Sequence, residues 1–399
     1  QDAQWSLFCP SQCPKLLTTY GTEFEQAYQD YEEQGLAISR VRAQDLFEKI
    51  ITTQIESGNP YMLYKDACNR KSNQRYLGLI KSSNLCSEII QYTDDQEIAV
   101  CNLASICLPK FIHGSTIDHE QLFKVTQCLV KNLNKVIAIN NYPVKESLYS
   151  NQRHRPIGIG IQGLADVFAI LKIAYTSDEA KQINKQVAET IYYAALDMSC
   201  QLVPTYGSYH HFEQSPLGQG QFQFNLWNFN EESSLRWDWA RLRNAIQKQG
   251  LVNSLVTAYM PTASTAQIMG NNDSFEPFTS NIYTRRVLSG EFIIINPHLM
   301  DYLEKDHLWT EALKDDLIKN NGSVQQLPIP EWYKDVFKTV WEISMKDYID
   351  MSADRALFID QSQSLNLYME KPSLGKISSM HMYAWKKGLK TGVYYLRSK

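Results

Sequence analysis

Apolar side chains recur at intervals of three and four residues in several segments of the chain, the spacing that places them on one face of a helix. Residues 42–57 show it at Leu46, Ile50, Ile51 and Ile55. The pattern predicts helices over 42–57, ended by Gly58-Asn59-Pro60, over 118–139, from Ser177 or Asp178 to about Val203 before Pro204, over Asp238–Lys248 before Gly250, and over 331–350.

Short apolar runs at Leu255–Tyr259 and Phe292–Ile295 have the composition of strands, and the first thirty residues are expected to be extended. Helical and extended patterns alternate throughout, which is typical of the α/β class. Because no repeat and no low-complexity linker divides the sequence, we expect one domain over residues 1–399.

Composition narrows the classes of function. With 44% hydrophobic residues, the chain can form a substantial core. The net charge of −4 gives no electrostatic reason to bind nucleic acid, and no apolar run is long enough to predict a membrane span.

Eight cysteines at irregular spacing do not form a disulfide framework, which favours free thiols and a reducing, cytoplasmic location. We interpret Cys107, Cys128 and Cys200 as packing residues. Cys9 and Cys13 could form half of a metal site, but a second ligand pair with suitable spacing is lacking, so no metal is expected.

The most informative segment is Lys81-Ser-Ser-Asn-Leu-Cys-Ser-Glu-Ile-Ile90. In an extended backbone, Asn84, Cys86 and Glu88 would share one face. That face would present an amide, a thiol able to exchange a hydrogen atom, and a carboxylate able to act as general base. The spacing alone leaves open a half-buried strand with an inert cysteine.

This segment resembles the active-site loop of the ribonucleotide reductase large subunit, with its Asn-x-Cys-x-Glu hallmark. Further segments resemble the same family in the same order, from Trp5 to Arg397, and the match looks closest to eukaryotic-type class I enzymes. They are Cys101-Asn-Leu-Ala-Ser105, Arg153-His-Arg-Pro-Ile-Gly-Ile-Gly-Ile-Gln-Gly-Leu-Ala-Asp166, Met260-Pro-Thr-Ala-Ser-Thr-Ala-Gln267, Asn281-Ile-Tyr-Thr-Arg-Arg-Val-Leu-Ser-Gly290 and Thr391-Gly-Val-Tyr-Tyr-Leu-Arg397.

The resemblance implies roles at the active-site loop. Cys86 would carry a transient thiyl radical that abstracts the 3′ hydrogen of a nucleoside diphosphate. Glu88 would take the 3′-hydroxyl proton, and Asn84 would bind the substrate and help hold Glu88. Cys101 would be one of two thiols that end as a redox-active disulfide, its partner lying in a part of the family's subunit upstream of this chain.

The resemblance also implies a diphosphate site and a radical route. Thr262, Ala263, Ser264 and Thr265 follow the predicted strand at 255–259, and small hydroxyl residues with free N–H groups suit an anion, although an ordinary helix cap looks the same. Tyr394 and Tyr395 would relay the radical from the small subunit to Cys86.

Gly158-Ile-Gly160-Ile-Gln-Gly163 fits the dinucleotide-binding pattern G-x-G-x-x-G. No strand-borne acidic residue follows about 20 positions later, as that fold requires, because that region is the helix predicted from Ser177. We therefore interpret these glycines as allowing close packing of a strand and a helix.

The family's subunit is longer, so we expect this chain to be a fragment or one piece of a split subunit: the C-terminal half of a ten-stranded α/β barrel, with the active-site cysteine on an inner finger loop. It would be inactive alone. The resemblance implies a dimetal small subunit as the radical source and a homodimer of the full large subunit. It implies re-reduction by thioredoxin or glutaredoxin through a separate tail. ATP or dNTP effectors would bind mainly outside this chain, which would itself hold no cofactor.

Two other enzyme classes share the radical barrel. A glycyl-radical enzyme would need a C-terminal glycine loop that the sequence lacks, and an adenosylcobalamin enzyme would not need the tyrosine pair. A non-catalytic piece that only binds nucleotide or assembles with other subunits is the remaining alternative, and intact Asn84, Cys86, Glu88 and Cys101 argue against it.

Overall fold

The computed structural model describes residues 3–229 and 232–399, in which helices outnumber strands. The helices are α1 (Lys15–Thr18), α2 (Thr22–Glu33), α3 (Ala43–Ser57), α4 (Lys65–Arg70), α5 (His119–Ile139), α6 (Lys145–His154), α7 (Leu164–Leu171), α8 (Asp178–Gln201), α9 (Val203–Tyr206), α10 (Gln223–Leu226), α11 (Trp239–Gln249), α12 (Ala263–Met269), α13 (Pro297–Lys305), α14 (Glu311–Lys319), α15 (Glu331–Val336), α16 (Met345–Ala356) and α17 (Leu374–Lys386).

The strands are short and are hydrogen-bonded in pairs. They are β1 (Gln4–Phe8), β2 (Ala37–Arg42), β3 (Met62–Leu63), β4 (Leu103–Cys107), β5 (Ile112–His113), β6 (Thr116–Ile117), β7 (Gly158–Gln162), β8 (Ile282–Val287), β9 (Gly290–Ile295), β10 (Leu367–Met369), β11 (Thr391–Val393) and β12 (Leu396–Ser398). The pairs β4–β7 and β10–β12 are parallel, whereas the others are antiparallel.

The centre of the fold is a row of parallel segments. β4 pairs with β7, and single bridges continue the row from Ile159 to Thr257 and from Tyr259 to Gln363. The predicted strand at 255–259 therefore runs beside β7 but forms only these bridges, because Asp360 instead accepts the N–H groups of Val256 (2.7 Å) and Thr257 (2.9 Å).

The glycines of β7 allow this row to be tightly spaced. A Cβ on Gly158 would lie 2.9 Å from the Ala258 Cβ, and one on Gly160 would lie 2.7 Å from the Ala258 carbonyl oxygen. These close neighbours belong to an adjacent extended segment, so the predicted strand–helix packing is wrong at these two positions. Gly163 has a φ of 79° and packs against Pro109.

Three helices begin where the sequence predicts because an oxygen side chain caps each of them. Asp118 accepts from the Gln121 N–H (2.8 Å), Ser177 from the Ala180 N–H (3.1 Å) and Asp238 from the Arg241 N–H (2.9 Å). Helix α8, capped by Ser177, is buried along most of its length and packs against α5 and α16 in the main core.

Other predicted boundaries are wrong. Helix α8 ends at Gln201, and Pro204 lies in the first turn of α9 rather than closing α8, since its fixed φ suits a helix start. The first residues are not extended throughout, because α1 and α2 follow β1, which pairs with β2.

The predicted helix at 331–350 is divided into α15 and α16. Between them the Val340 N–H donates to the Phe278 carbonyl (2.8 Å), and the Glu342 carboxylate accepts the Thr339 N–H (2.7 Å). These contacts replace helical hydrogen bonds in the intervening segment.

The mixture of helices and parallel strands confirms the predicted α/β class. The strands of the described residues remain in two-stranded pairs, of which β4–β7 is extended by single bridges, and they do not close a barrel among themselves. None of the helices in residues 3–229 and 232–399 combines the length and apolar character needed to cross a bilayer.

Candidate active site

The cysteine-bearing segment, residues 81–91, is a loop with a turn at 85–87. The Asn84 carbonyl accepts the Ser87 N–H (3.2 Å), the Asn84 Oδ1 accepts the Ile89 N–H (3.1 Å), and Ser87 has a φ of 66°. The predicted extended backbone is therefore wrong, because the Asn84 side chain offers the following N–H groups a local alternative to strand pairing.

The turn changes which side chains face the interior. Leu85 is 76% exposed, Ser87 and Glu88 are 0% and 2% exposed, and Cys86 is half-buried. A strict alternation of faces would have separated Ser87 from Glu88. The turn nevertheless keeps Asn84 against Glu88, so the amide and the carboxylate remain together beside the cysteine.

Glu88 is a buried carboxylate with defined partners. The Ser364 hydroxyl donates to its Oε2 (3.1 Å), and the Ser362 N–H donates to its backbone carbonyl (2.9 Å). Burial raises the pKa of the Glu88 carboxyl, and hydrogen bonds with Asn84 and Ser364 oppose that rise. A raised pKa brings this carboxyl nearer to the range in which it can exchange a proton at neutral pH.

A tyrosine connects directly to the cysteine. The Tyr394 hydroxyl lies 3.5 Å from the Cys86 sulfur and donates to it. The rings of Tyr394 and Tyr395 are in contact, with centroids 4.4 Å apart. Burial and then the hydrogen bond to Cys86 raise the pKa of Tyr394 well above its ordinary value, so this phenol keeps its proton at neutral pH.

Sequence reasoning missed a third member of this group, Tyr61. Its ring lies 4.9 Å from that of Tyr394 and 5.1 Å from that of Tyr395, and its hydroxyl donates to the Tyr395 hydroxyl (2.9 Å). Burial, followed by the hydrogen bond with Tyr395, raises the pKa of Tyr61 to about 12. The signal available in the sequence was Tyr61 beside the helix-ending Asn59-Pro60, which does not indicate a partner 334 positions away.

Cys101 precedes β4 and is exposed. Crowding by protein atoms, followed by the charges of Glu88 and Cys86, raises the pKa of its thiol to about 11. Because Glu88 and Cys86 contribute to this shift, Cys101 lies within electrostatic range of the loop. The next residue, Asn102, is fixed by bonds from its Nδ2 to the Asn151 Oδ1 (2.7 Å) and the Pro156 carbonyl (2.9 Å).

The segment 262–265 begins helix α12. Thr262 is buried, and its hydroxyl accepts the Ser274 N–H (2.8 Å), whereas Ala263, Ser264 and Thr265 are exposed. The segment is linked to Glu88 through Ser364, whose N–H donates to the Tyr259 carbonyl (2.9 Å) three residues before Thr262. The Thr262 hydroxyl is therefore structural. The Thr265 hydroxyl donates to the Thr262 carbonyl (3.3 Å), and the Ser264 hydroxyl is exposed at the start of the helix.

The other cysteines divide into different environments. Cys200 is buried, which confirms its predicted packing role, and Cys107 is half-buried, 2.9 Å from the Asn271 Nδ2. Cys128 is exposed on α5, so its predicted packing role is wrong. Across the described part of the chain, no group of three or more His, Cys, Asp or Glu side chains is arranged to hold a metal ion.

The fold and the site define an α/β domain that presents a thiol, a buried carboxylate and a tyrosine cluster at one internal loop. The family model described as ribonucleotide reductase, barrel domain, matches residues 1–395. The chain belongs to this family.

Relatives with a similar sequence agree with this membership. The ribonucleoside-diphosphate reductase large subunit of Plasmodium falciparum (isolate Dd2) is 55% identical over 402 residues, which cover 100% of this chain and 50% of the relative. The large subunit of Danio rerio is 54% identical over 400 residues, with the same coverage. The chain therefore spans about half the length of the curated relatives it matches.

A solved structure is also similar. The class Id ribonucleotide reductase alpha subunit of Actinobacillus ureae superposes with a TM-score of 0.71 at 26% identity, over 89% of this chain and 61% of that one. The prediction of a ribonucleotide reductase barrel domain with eukaryotic large-subunit relatives is thereby confirmed.

Proposed function

We propose that this chain carries the catalytic loop of a ribonucleoside-diphosphate reductase, which makes 2′-deoxyribonucleoside diphosphates by thiyl-radical chemistry. The observation that carries the proposal is the Cys86 sulfur 3.5 Å from the Tyr394 hydroxyl, on the same tight turn as the buried carboxylate of Glu88. A hydrogen-atom route and a proton acceptor thus meet at one place.

The reaction follows from these groups. The Cys86 thiyl radical takes the 3′ hydrogen atom of the substrate and becomes a thiol, and Glu88 accepts the 3′-hydroxyl proton while the 2′-hydroxyl leaves as water. Cys101 and a second thiol, which this chain does not supply in the proposal, together give two electrons and two protons and become a disulfide. Of the two protons from the thiols, one completes the leaving water and the other goes to the 2′ carbon. Glu88 returns its proton to the 3′ oxygen, the hydrogen atom returns from Cys86 to the 3′ carbon, and the thiyl radical is regenerated.

The substrate diphosphate is proposed to bind at 262–265. The exposed hydroxyl of Ser264 and the N–H groups of the first turn of α12, including that of Thr265, offer hydrogen-bond donors to phosphate oxygens. The link from Tyr259 through Ser364 to Glu88 supports a single substrate that reaches both this segment and the loop.

The radical is proposed to reach Cys86 through Tyr395 and Tyr394 from a separate small subunit that holds a dimetal centre. Each transfer between neighbouring phenols is short, because the rings are in contact. We further propose a homodimeric full-length subunit, re-reduction by thioredoxin or glutaredoxin through a separate tail, effector nucleotides bound mainly outside this chain, and a cytoplasmic location.

The test is a pair of cysteine variants in an assembly that supplies the rest of the large subunit and the small subunit. Cys86→Ser removes the radical-bearing sulfur and is expected to abolish formation of dCDP from CDP while CDP still binds. Cys128→Ser, at an exposed thiol on α5, is the matched control and is expected to retain full turnover. Unchanged dCDP formation by Cys86→Ser would refute the proposed chemistry.

A further inference from the structure

The backbone around the tyrosine pair is held in an unusual way at Tyr395. Three consecutive N–H groups point to three different acceptors: Tyr394 donates to the Leu365 carbonyl (2.7 Å), and Leu396 donates to the Gly58 carbonyl (3.1 Å). Between them, the Tyr395 N–H donates to the side-chain Oδ1 of Asn366 (3.2 Å). The backbone N–H of Tyr395 is therefore held by a side chain, whereas the N–H groups of its two neighbours are held by backbone carbonyl groups.

Asn366 is itself oriented by a carboxylate. Its Nδ2 donates to the Glu276 Oε1 (2.5 Å), and the Tyr368 hydroxyl donates to the Glu276 Oε2. Asn366 and Tyr368 are both buried. Because Glu276 accepts with both oxygens, the Asn366 amide must direct its nitrogen toward Glu276 and its oxygen toward Tyr395.

Placing a carboxylate here is destabilising unless hydrogen bonds or nearby charges compensate for it. A carboxylate within the fold loses hydration, and burial accordingly raises the pKa of Glu276, while the bonds from Tyr368 and Asn366 oppose the rise. The Arg397 guanidinium lies over the Tyr395 ring, 4.7 Å from its centroid.

We propose that Asn366 and Glu276 are positioning residues that hold Tyr395 in register with Tyr394 and Tyr61. The inference rests on the proposed function, because a precise ring position matters only where the ring relays a radical. The Tyr395 ring centroid lies 4.4 Å from that of Tyr394, and the Tyr395 hydroxyl accepts from the Tyr61 hydroxyl at 2.9 Å, so a shift of the Tyr395 backbone alters both contacts together.

The hydrogen-bond pattern allows a test in which the residues at 366 and 276 exchange the carboxylate and the amide. Asn366→Asp keeps the acceptor for the Tyr395 N–H but places a second carboxylate against Glu276, where one donor is lost and like charges face each other. Glu276→Gln added to it restores a complementary pair: the glutamine Nε2 donates to the new aspartate, and its Oε1 still accepts from Tyr368. All three hydrogen bonds then exist again with the charge on the opposite partner.

Each variant is studied in the full assembly with the small subunit, CDP and an effector. The first measurement is turnover, and the second is the amount of radical trapped at position 395 by electron paramagnetic resonance when 3-aminotyrosine, which is more easily oxidised, replaces Tyr395. CDP affinity and thermal unfolding are recorded for all variants. Asp306→Asn is the matched control, since it removes another carboxylate that accepts from a buried tyrosine, Tyr333, at 2.7 Å.

Asn366→Asp is expected to lower turnover and the trapped radical by about tenfold or more, in keeping with the sensitivity of reaction rates to small misplacements, and to leave CDP affinity unchanged. The double variant should recover most of both losses, and Asp306→Asn should change neither. A double variant as inactive as Asn366→Asp, or an Asn366→Asp variant with normal radical yield, would overturn the assignment.

A separate arm distinguishes this failure from failure of the proposed function. Tyr395→Phe removes the phenol that the relay requires and should abolish turnover. If Tyr395→Phe were fully active, the relay itself would be wrong. If it were inactive while the exchange at 366 and 276 had no effect, only the positioning by Asn366 and Glu276 would be refuted.

Discussion

Thr391→Val is a sharp test of how the cysteine-bearing loop at 81–91 is held. Thr391 lies in β11 and is almost fully buried; its hydroxyl donates to the Ser87 carbonyl (2.7 Å) and lies 2.7 Å from the Ser362 hydroxyl. Valine has nearly the same shape but removes the oxygen. The Ser87 carbonyl is then left without its donor at the centre of the turn.

The magnitude follows from the desolvation of one buried acceptor. Leaving such a group unpaired costs about 1–3 kcal/mol, and we take about 2 kcal/mol because the Ser362 hydroxyl can rotate to another acceptor. This free energy corresponds to about a 30-fold increase in the population of the opened loop. The loss falls mainly on the loop, because the donor that is removed holds the Ser87 carbonyl to β11, whereas the Ser362 hydroxyl can turn to another acceptor.

Hydrogen exchange of the amides at 87–90 measures this local opening. Exchange in Thr391→Val should be about 30-fold faster than in the parent chain. Thr391→Ser keeps the hydroxyl and loses one methyl group, so it should change exchange at these amides far less while lowering global stability by about 1 kcal/mol. Equal protection of the loop in the valine and serine variants would show that the Thr391 hydroxyl does not hold it.

Two further predictions concern Cys101 and the row of segments at β7. Because the pKa of Cys101 is raised to about 11, only about 0.1% of this thiol is thiolate at pH 8. Alkylation of Cys101 by iodoacetamide should therefore be about a hundredfold slower than that of a free cysteine, and it should accelerate up to pH 11. Ordinary reactivity of Cys101 at pH 8 would contradict this prediction. Gly160→Ala places a Cβ 2.7 Å from the Ala258 carbonyl oxygen and should lower the free energy of unfolding in urea by about 1–3 kcal/mol. Gly375→Ala, with open space around it in α17, should leave this free energy unchanged or raise it. Equal effects of the two substitutions would refute the packing argument.

Helices could be predicted from the sequence where the residues that start them lie within the same short segment. Asp118, Ser177 and Asp238 cap helices that the apolar spacing already indicates, so both the existence and the start of these helices follow from a few adjacent residues. The same reasoning failed over residues 331–350, where Val340 pairs with the distant Phe278 carbonyl. No local pattern contains that partner.

The site shows a similar division. The spacing of Asn84, Cys86 and Glu88 indicates the groups for which we propose chemistry, but the alternation of faces inferred from it is wrong, because Asn84 forms its own turn. The Asn84 amide still lies close to the Glu88 carboxylate, but the turn brings them together rather than a shared face of a strand. Residue types at short spacing are thus more reliable than the backbone conformation assumed for them.

The tyrosine cluster depends on a pairing that no periodicity could reveal. Strand β3 has two residues, and its partner β11 lies more than 300 positions away; their antiparallel register places Val393 opposite Met62, which brings Tyr61 beside Tyr394. The same strand β11 supplies Thr391 to the turn at Ser87. One short pairing therefore fixes both the thiol loop and the aromatic route toward it. For this reason a change in β11 should perturb the two together, even though their residues are far apart in the sequence.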